Sequence, residues 1–156
     1  MTGKRRKGTS PDTTVQEVAP PHAPCLLASV PIRVRWRDLD AFNHVNNATF
    51  LSYLEEARLV WLSQIKGQWF TETYMPVLAA THVNYRQQIE WPGEVIVELY
   101  AERLGTASLT VSHRIVDAAQ PERLYSDGNV VMVWIEPTSG RSIPLPEAIR
   151  EACQCE

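Results

Sequence analysis

The chain has 156 residues, 44% of them hydrophobic, enough for one domain with a real core and too few for two ordinary ones. Four of its 15 basic residues, Lys4, Arg5, Arg6 and Lys7, sit at the start; the formal net charge is −3 and the body beyond residue 7 is acidic, which excludes a nucleic-acid footprint there. No run approaches the ~18 consecutive apolar residues of a membrane span.

Residues 1–28 are rich in Thr, Pro, Ser and charge and predict a disordered tail. Its basic run is followed by Thr9-Ser10-Pro11-Asp12-Thr13-Thr14 rather than an apolar signal-peptide core, so secretion is not expected. The run reads as a solvated terminus. Val30, Ile32, Val34 and Trp36 alternate with Pro31, Arg33 and Arg35, the period of a half-buried strand. Arg37 to Asn46 breaks the pattern and reads as a loop. From Asn47 to Lys66, Phe50, Leu54, Ala57, Trp61 and Ile65 form a helical stripe, widened by Leu51, Tyr53, Leu59, Val60 and Leu62. Such a helix should be wrapped on most sides, capped by Asn46 or Asn47 and stopped at Gly67.

Four strands follow: Met75 to Gln88, Val95 to Leu104, Ala107 to Val116 and Leu124 to Ile135. Trp91-Pro92-Gly93-Glu94 reads as a type II turn, and Leu109, Val111, His113 and Ile115 share one strand face. Val130 to Ile135 is apolar throughout and predicts a central strand. Pro146 to Cys153 suggests a short terminal helix. The expected domain spans 29–145, with 146–156 as a helix and tail. A strand, a buried helix and four strands joined by short turns predict an antiparallel meander with the helix across its concave face, an α+β sandwich. Uncovered sheet edges favour a second copy.

Cys25, Cys153 and Cys155 show neither metal-ligand spacing nor an even-numbered disulfide framework. That reading places the chain in a reducing compartment, the cytoplasm. With no His/Cys cluster and no Gly-rich phosphate loop, no metal or redox cofactor is expected.

The polar residues gather between Trp36 and Arg58, just ahead of the helix. Unpaired N–H groups and a partial positive charge at a helix start can hold a developing oxyanion. Asp38-Leu39-Asp40-Ala41-Phe42-Asn43-His44-Val45-Asn46-Asn47, followed by Phe50-Leu51-Ser52-Tyr53-Leu54-Glu55-Glu56-Ala57-Arg58, resembles the motif of hot-dog-fold acyl-CoA thioesterases of the 4-hydroxybenzoyl-CoA thioesterase type. The resemblance covers roughly residues 30 to 143 in motif and element order. It departs at Asn43, where many members carry Gly; Asn tolerates a left-handed backbone better than other residues with a Cβ.

The resemblance implies a five-stranded antiparallel sheet around one long helix, and hydrolysis of an acyl-CoA thioester or an acyl-carrier thioester. It assigns Asp40 as the catalytic carboxylate, nucleophile or general base, and the Asn47 backbone N–H as oxyanion donor. It also implies a homodimer or homotetramer with the pocket between subunits. Read as residues alone, Asp40 can equally form an Asx-turn. Asp38 reads as a loop acid paired with Arg35 or Arg37. His44, Val45 and Asn46 are candidate pocket residues, though Asn46 also reads as a cap and His44 as a satisfied loop residue. His82, Asn84 and Arg86 alternate on one strand face and could line the pocket mouth, as could Tyr85 on the other. Arg86, Arg103, Arg114 and Arg123 are possible contacts for coenzyme A phosphates. Glu55 and Glu56 read as an exposed helix pair with Arg58, Glu56 being a reserve catalytic candidate. Trp61, Trp69, Phe70 and Trp134 read as core or acyl-pocket aromatics. Two other readings stand beside hydrolysis: hot-dog enoyl-thioester hydration, and non-catalytic binding or sensing of acyl thioesters.

Overall fold

A computed structural model describes residues 24–155 of the chain. Five antiparallel strands, β1 (Cys25–Arg33), β2 (Met75–Tyr85), β3 (Glu94–Leu104), β4 (Ser108–Asp117) and β5 (Leu124–Ile135), form one sheet in the order β1-β3-β4-β5-β2. Helix α1 (Asn47–Gln64) crosses its concave face and a short α2 (Glu147–Ala152) closes one end. This is the hot-dog arrangement expected from the motif.

Strand alternation builds the core. Val30 and Ile32 of β1, Val95, Val97 and Leu99 of β3, and Leu109, Val111 and Ile115 of β4 are all buried toward the helix side. Pro31 faces out on β1, an edge strand, where a missing N–H costs no interior ladder bond. Helix α1 answers with Phe50, Tyr53, Leu54, Ala57, Trp61 and Leu62, all buried. Asn46 is its cap, the side-chain oxygen accepting from the Ala48 N–H at 2.8 Å. At its far end the chain leaves the helix through Ile65 and turns at Gly67, whose φ of 102° suits glycine.

Four expectations need correction. The strands do not run as a simple meander, because β2 pairs with β5 rather than with β3. The helix carries the chain to the far edge of the sheet, and residues 86–93 bring it back to β3. Second, β1 begins at Cys25, inside the segment expected to be tail, because register with β3 extends to Cys25↔Ala101; residues 1–23 lie outside the described part. Third, Gly93 does not take the positive φ that a type II turn needs at its third position, so the turn is not type II. Fourth, α1 is not wrapped on most sides. It packs chiefly against β1 and β3, leaving Leu51 (43% exposed) and Leu59 (57%) uncovered.

The cysteine reading is corrected too. Cys25 and Cys155 form a disulfide, their Cα atoms 5.5 Å apart across 130 residues of sequence. It staples the start of β1 to the chain beyond α2. Local spacing hides such a pair, and the third thiol, Cys153, is buried and free, its pKa pushed up to about 11 by burial. The argument for a reducing compartment therefore falls. Among the described residues no helix is long and apolar enough to cross a membrane.

Candidate active site

The loop from β1 to α1 is held from below by a buried acid. Asp38 is 5% exposed and accepts from the Tyr53 hydroxyl (2.7 Å), the Arg35 N–H (2.9 Å) and the Arg35 guanidinium (3.1 Å). Burial alone would raise its pKa, but these bonds outweigh it and hold the carboxyl below its ordinary value. Tyr53 is fully buried on α1, so this contact ties the loop to the helix. The Asp38 carbonyl also accepts from the Asn46 N–H at 2.9 Å, which fixes the cap residue to the same acid's backbone. Of the two partners expected for Asp38, the structure selects Arg35.

Above this anchor the chain makes a tight reversal. The Asp40 N–H donates to the His44 carbonyl (2.8 Å), and the Asn43 N–H donates to the Asp40 carbonyl (3.2 Å). Asn43 adopts φ 61°, the left-handed conformation that the departure from Gly had to accommodate. One carboxylate oxygen of Asp40, Oδ1, accepts from the Phe42 N–H (2.8 Å) and more weakly from the His44 N–H (3.4 Å). The Asx-turn role and the chemical role are thus compatible. One oxygen is pinned by main chain, and Oδ2 has no hydrogen-bond partner among the described residues.

Asn47 opens α1. Its N–H lies at the positive end of the helix and has no acceptor among the described residues, while the Ala48 N–H is used by the cap. Asp40 and Asn47 line one open cleft of ≈ 510 Å³ together with Phe42, His44, Val45, Phe50, Tyr85, Arg86, Gln87 and Gln88. Val45 is buried and anchors the wall through its N–H to the Ile89 carbonyl (2.9 Å). Tyr85 stands edge-on to Phe50, centroids 5.1 Å apart, and its hydroxyl donates to the Asn47 carbonyl at 3.1 Å. A larger hollow of ≈ 800 Å³ lies beside Arg33, Trp91 and Asp117. Its carboxylate is already committed, because Asp117 accepts from the Tyr125 hydroxyl (2.7 Å) and from the Ala119 and Gln120 N–H groups.

The remaining candidates separate by strand face. Tyr85 points toward the helix, so alternation sends His82 and Asn84 to the opposite face, away from the cleft. Asn84 donates to Asp127 at 2.9 Å. Arg86, past the strand end, lines the cleft while pairing with Asp127 at 3.0 Å. Arg114 pairs with Glu98, and Arg123 lies over the Tyr125 ring. Arg58 makes no ion pair with Glu55 or Glu56 within 4 Å, contrary to expectation. Trp134 is core, its indole N–H donating to the Trp69 carbonyl at 2.7 Å. Phe42, Gln87 and Gln88 belong to the cleft without having stood out in sequence; only their positions flanking the motif and β2 could have flagged them.

Comparison with known proteins follows the same outline. The profile of the thioesterase-like superfamily matches residues 34–153. The chain belongs to this superfamily. A Xanthomonas campestris protein of inferred acyl-CoA thioesterase activity is 54% identical over 72% of this chain and 95% of its own, with a TM-score of 0.67. A Pseudomonas aeruginosa protein of inferred thioesterase activity is 38% identical over 83% and 99%, TM-score 0.75. The long-chain acyl-CoA thioesterase FadM of Escherichia coli is 29% identical over 77% of this chain and 92% of its own length. The hot-dog thioesterase is a thioester hydrolase by family.

Proposed function

We propose that this hot-dog thioesterase hydrolyses an acyl-CoA, or a related acyl thioester, to free acid and thiol, with Asp40 as base or nucleophile and the Asn47 N–H as oxyanion donor. One observation carries the reading: a carboxylate with one oxygen pinned and one free shares a single cleft with an unpaired helix N-terminal N–H.

In the nucleophilic route Oδ2 of Asp40 attacks the thioester carbon, and the Asn47 N–H stabilises the resulting oxyanion. The C–S bond then breaks, the thiolate leaves, and water hydrolyses the mixed anhydride to release acid and regenerate the carboxylate. In the base route Oδ2 takes a proton from water as the water oxygen attacks the same carbon; the C–S bond breaks and the thiolate receives that proton. Both routes place the same charge on the same oxygen. One preorganised donor at such an oxygen contributes roughly 3–4 kcal/mol elsewhere. A thiolate leaves readily, so no Ser-His-Asp set is needed.

A second copy completes the molecule in this reading. β2 is an edge strand of 11 residues, and residues 78–82 along it are all exposed, Leu78 by 49%. Leu51 and Leu59 of α1 are uncovered as well. A long apolar edge of this kind is a template for pairing, and a two-fold dimer would cover strand edge and helix flank at once. Lysines placed together at Leu78 and Ala80 are expected to give monomers by sedimentation and to lower activity.

The test is a thiol-release screen across short, long and aromatic acyl-CoA esters, with Asp40→Asn alongside. The variant is expected to stay folded and lose about 100-fold or more of turnover. Turnover equal to that of the parent protein would falsify the assignment of Asp40.

A further inference from the structure

Two side-chain polar atoms among the described residues are buried without a hydrogen-bond partner, His113 Nε2 and Ser126 Oγ. His113 is 2% exposed and Ser126 0%. They are not scattered. Ser126 of β5 stands opposite Tyr85 of β2, on the face that Tyr85 shares with Phe50. Two residues on, Gly128 stands opposite Val83 on one side and His113 of β4 on the other. The two orphaned groups therefore occupy neighbouring rungs on the helix-facing side of the sheet, next to the wall of the cleft that holds Asp40 and Asn47.

Gly128 lets the β2 main chain and the imidazole of β4 close in on β5 here. A Cβ at this position would sit 2.0 Å from the His82 carbonyl oxygen and 3.1 Å from His113 Cε1, so no side chain of β5 can cover the imidazole. Near the imidazole is Arg58 of α1, half-buried. It makes no ion pair within 4 Å and no hydrogen bond among the described residues. Burial, followed by the nearby Arg58 charge, lowers the His113 pKa to about 4, so the imidazole is neutral at pH 7 and able to donate from Nε2. Burial likewise lowers the Arg58 pKa. The imidazole, with the Arg58 charge nearby, and the hydroxyl one rung away have no acceptor of their own, and a carboxylate is the acceptor-only anion that matches them.

We propose that Arg58, His113 and Ser126 form a polar subsite at the inner end of the acyl pocket, which takes the free carboxylate of a dicarboxylic acyl thioester. This rests on the thioesterase reading above and names its substrate class. Arg58, the flexible member, swings to admit the chain. The acyl group runs from the thioester at Asp40 past Phe50 and Tyr85. It meets Ser126 one strand over, and His113 a rung further, roughly 7 Å along the strand.

The experiment compares acyl-CoA esters of matched length ending in methyl, hydroxyl or carboxylate, over a series of lengths. At the best length the carboxylate ester is expected to exceed the methyl ester in kcat/KM by about 10-fold to 100-fold, the range of a charge-assisted hydrogen bond. In Arg58→Met that ratio should fall toward one. Calorimetric binding of the same esters to Asp40→Asn gives the comparison without turnover, so it stands even if no thiol is released, an outcome that would overturn only the hydrolysis reading. Equal affinities in that binding series would overturn the subsite; so they would stand if bound water, or a carboxylate of the second copy, already satisfied the three groups. Hydroxyl and carboxylate esters bound equally well would overturn the choice of a dicarboxylic substrate.

Discussion

Replacing Asp38 should reveal how the catalytic loop is held. Asp38→Ala removes the acceptor of three donors, and their burial decides what each is worth. The Arg35 side chain is 48% exposed, so water replaces its lost partner and the ion pair itself contributes about 0–1 kcal/mol. Tyr53 has no exposed surface, so its orphaned hydroxyl costs about 1–3 kcal/mol. The sum is a loss of roughly 1–4 kcal/mol, read as a lower urea midpoint with unchanged slope. Asp38→Asn keeps an acceptor for Tyr53 and should lose only about 1 kcal/mol. The double variant Asp38→Ala with Tyr53→Phe has no orphan left, so its loss should fall short of the sum of the two singles by about 1 kcal/mol or more. Because the Asp38 main chain also holds Asn46, thiol release should drop in Asp38→Ala with kcat affected more than KM. Strict additivity in the cycle would refute the claim that the buried hydroxyl sets the cost. The pH dependence has a definite sign. The folded pKa of Asp38 lies below its unfolded value, so its contribution is fully present above the unfolded pKa, near 3.9. It is lost as pH falls through the lower, folded one. The difference in stability between the parent protein and Asp38→Asn should therefore shrink in acid below about pH 4.

Other expectations can be checked on the same protein. Cys25→Ser opens a loop of 130 residues; the chain-entropy relation gives about 5 kcal/mol for that length and native disulfides about 2–5 kcal/mol, so the urea midpoint should fall. An unchanged midpoint, with three titratable thiols in the untreated parent protein, would dismiss the staple. Gly128→Ala drives a Cβ into the His82 carbonyl and should cost about 3 kcal/mol or more; a parent-like melting curve would contradict the packing of β2 on β5. At Asn43, with φ 61°, substitution by Gly should be neutral or stabilising and by Val destabilising by roughly 1–2 kcal/mol, which denaturation can order directly.

What could be read from sequence was whatever depends on neighbours along the chain. The start of α1 at Asn47 and the His113 face of β4 follow from local periodicity, and the left-handed turn at Asn43 from the resemblance to a family with Gly there; each stands in the structure. What escaped was set by residues far apart. The Cys25–Cys155 bond spans 130 residues, and the placement of β2 beside β5 rather than β3 is a choice of edge that no short-range pattern encodes. The same division runs through the site. Asp40 and Asn47 are seven positions apart in one motif and are legible together, and Tyr85 stands among the sequence candidates for the mouth, whereas Gln87 and Gln88 enter the cleft because β2 crosses to the far edge and the chain returns past α1.

That crossing also explains why the helix pattern misled. Its apolar residues exceed what a single stripe needs, which reads as burial on most sides, yet one chain leaves Leu51 and Leu59 open. Apolar residues on a helix record the surface covered in the working assembly, and a sequence does not say which copy does the covering. Arg58 follows the same logic with opposite chemistry. On the same helix, a guanidinium held partly out of water without an ion-pair partner among the described residues is costly to keep. Leu51 and Leu59 there ask for an apolar cover, while Arg58 and the imidazole beneath it ask for an anion. Under the two proposals made above, a second copy would answer the first demand and the acid end of a bound acyl group the second.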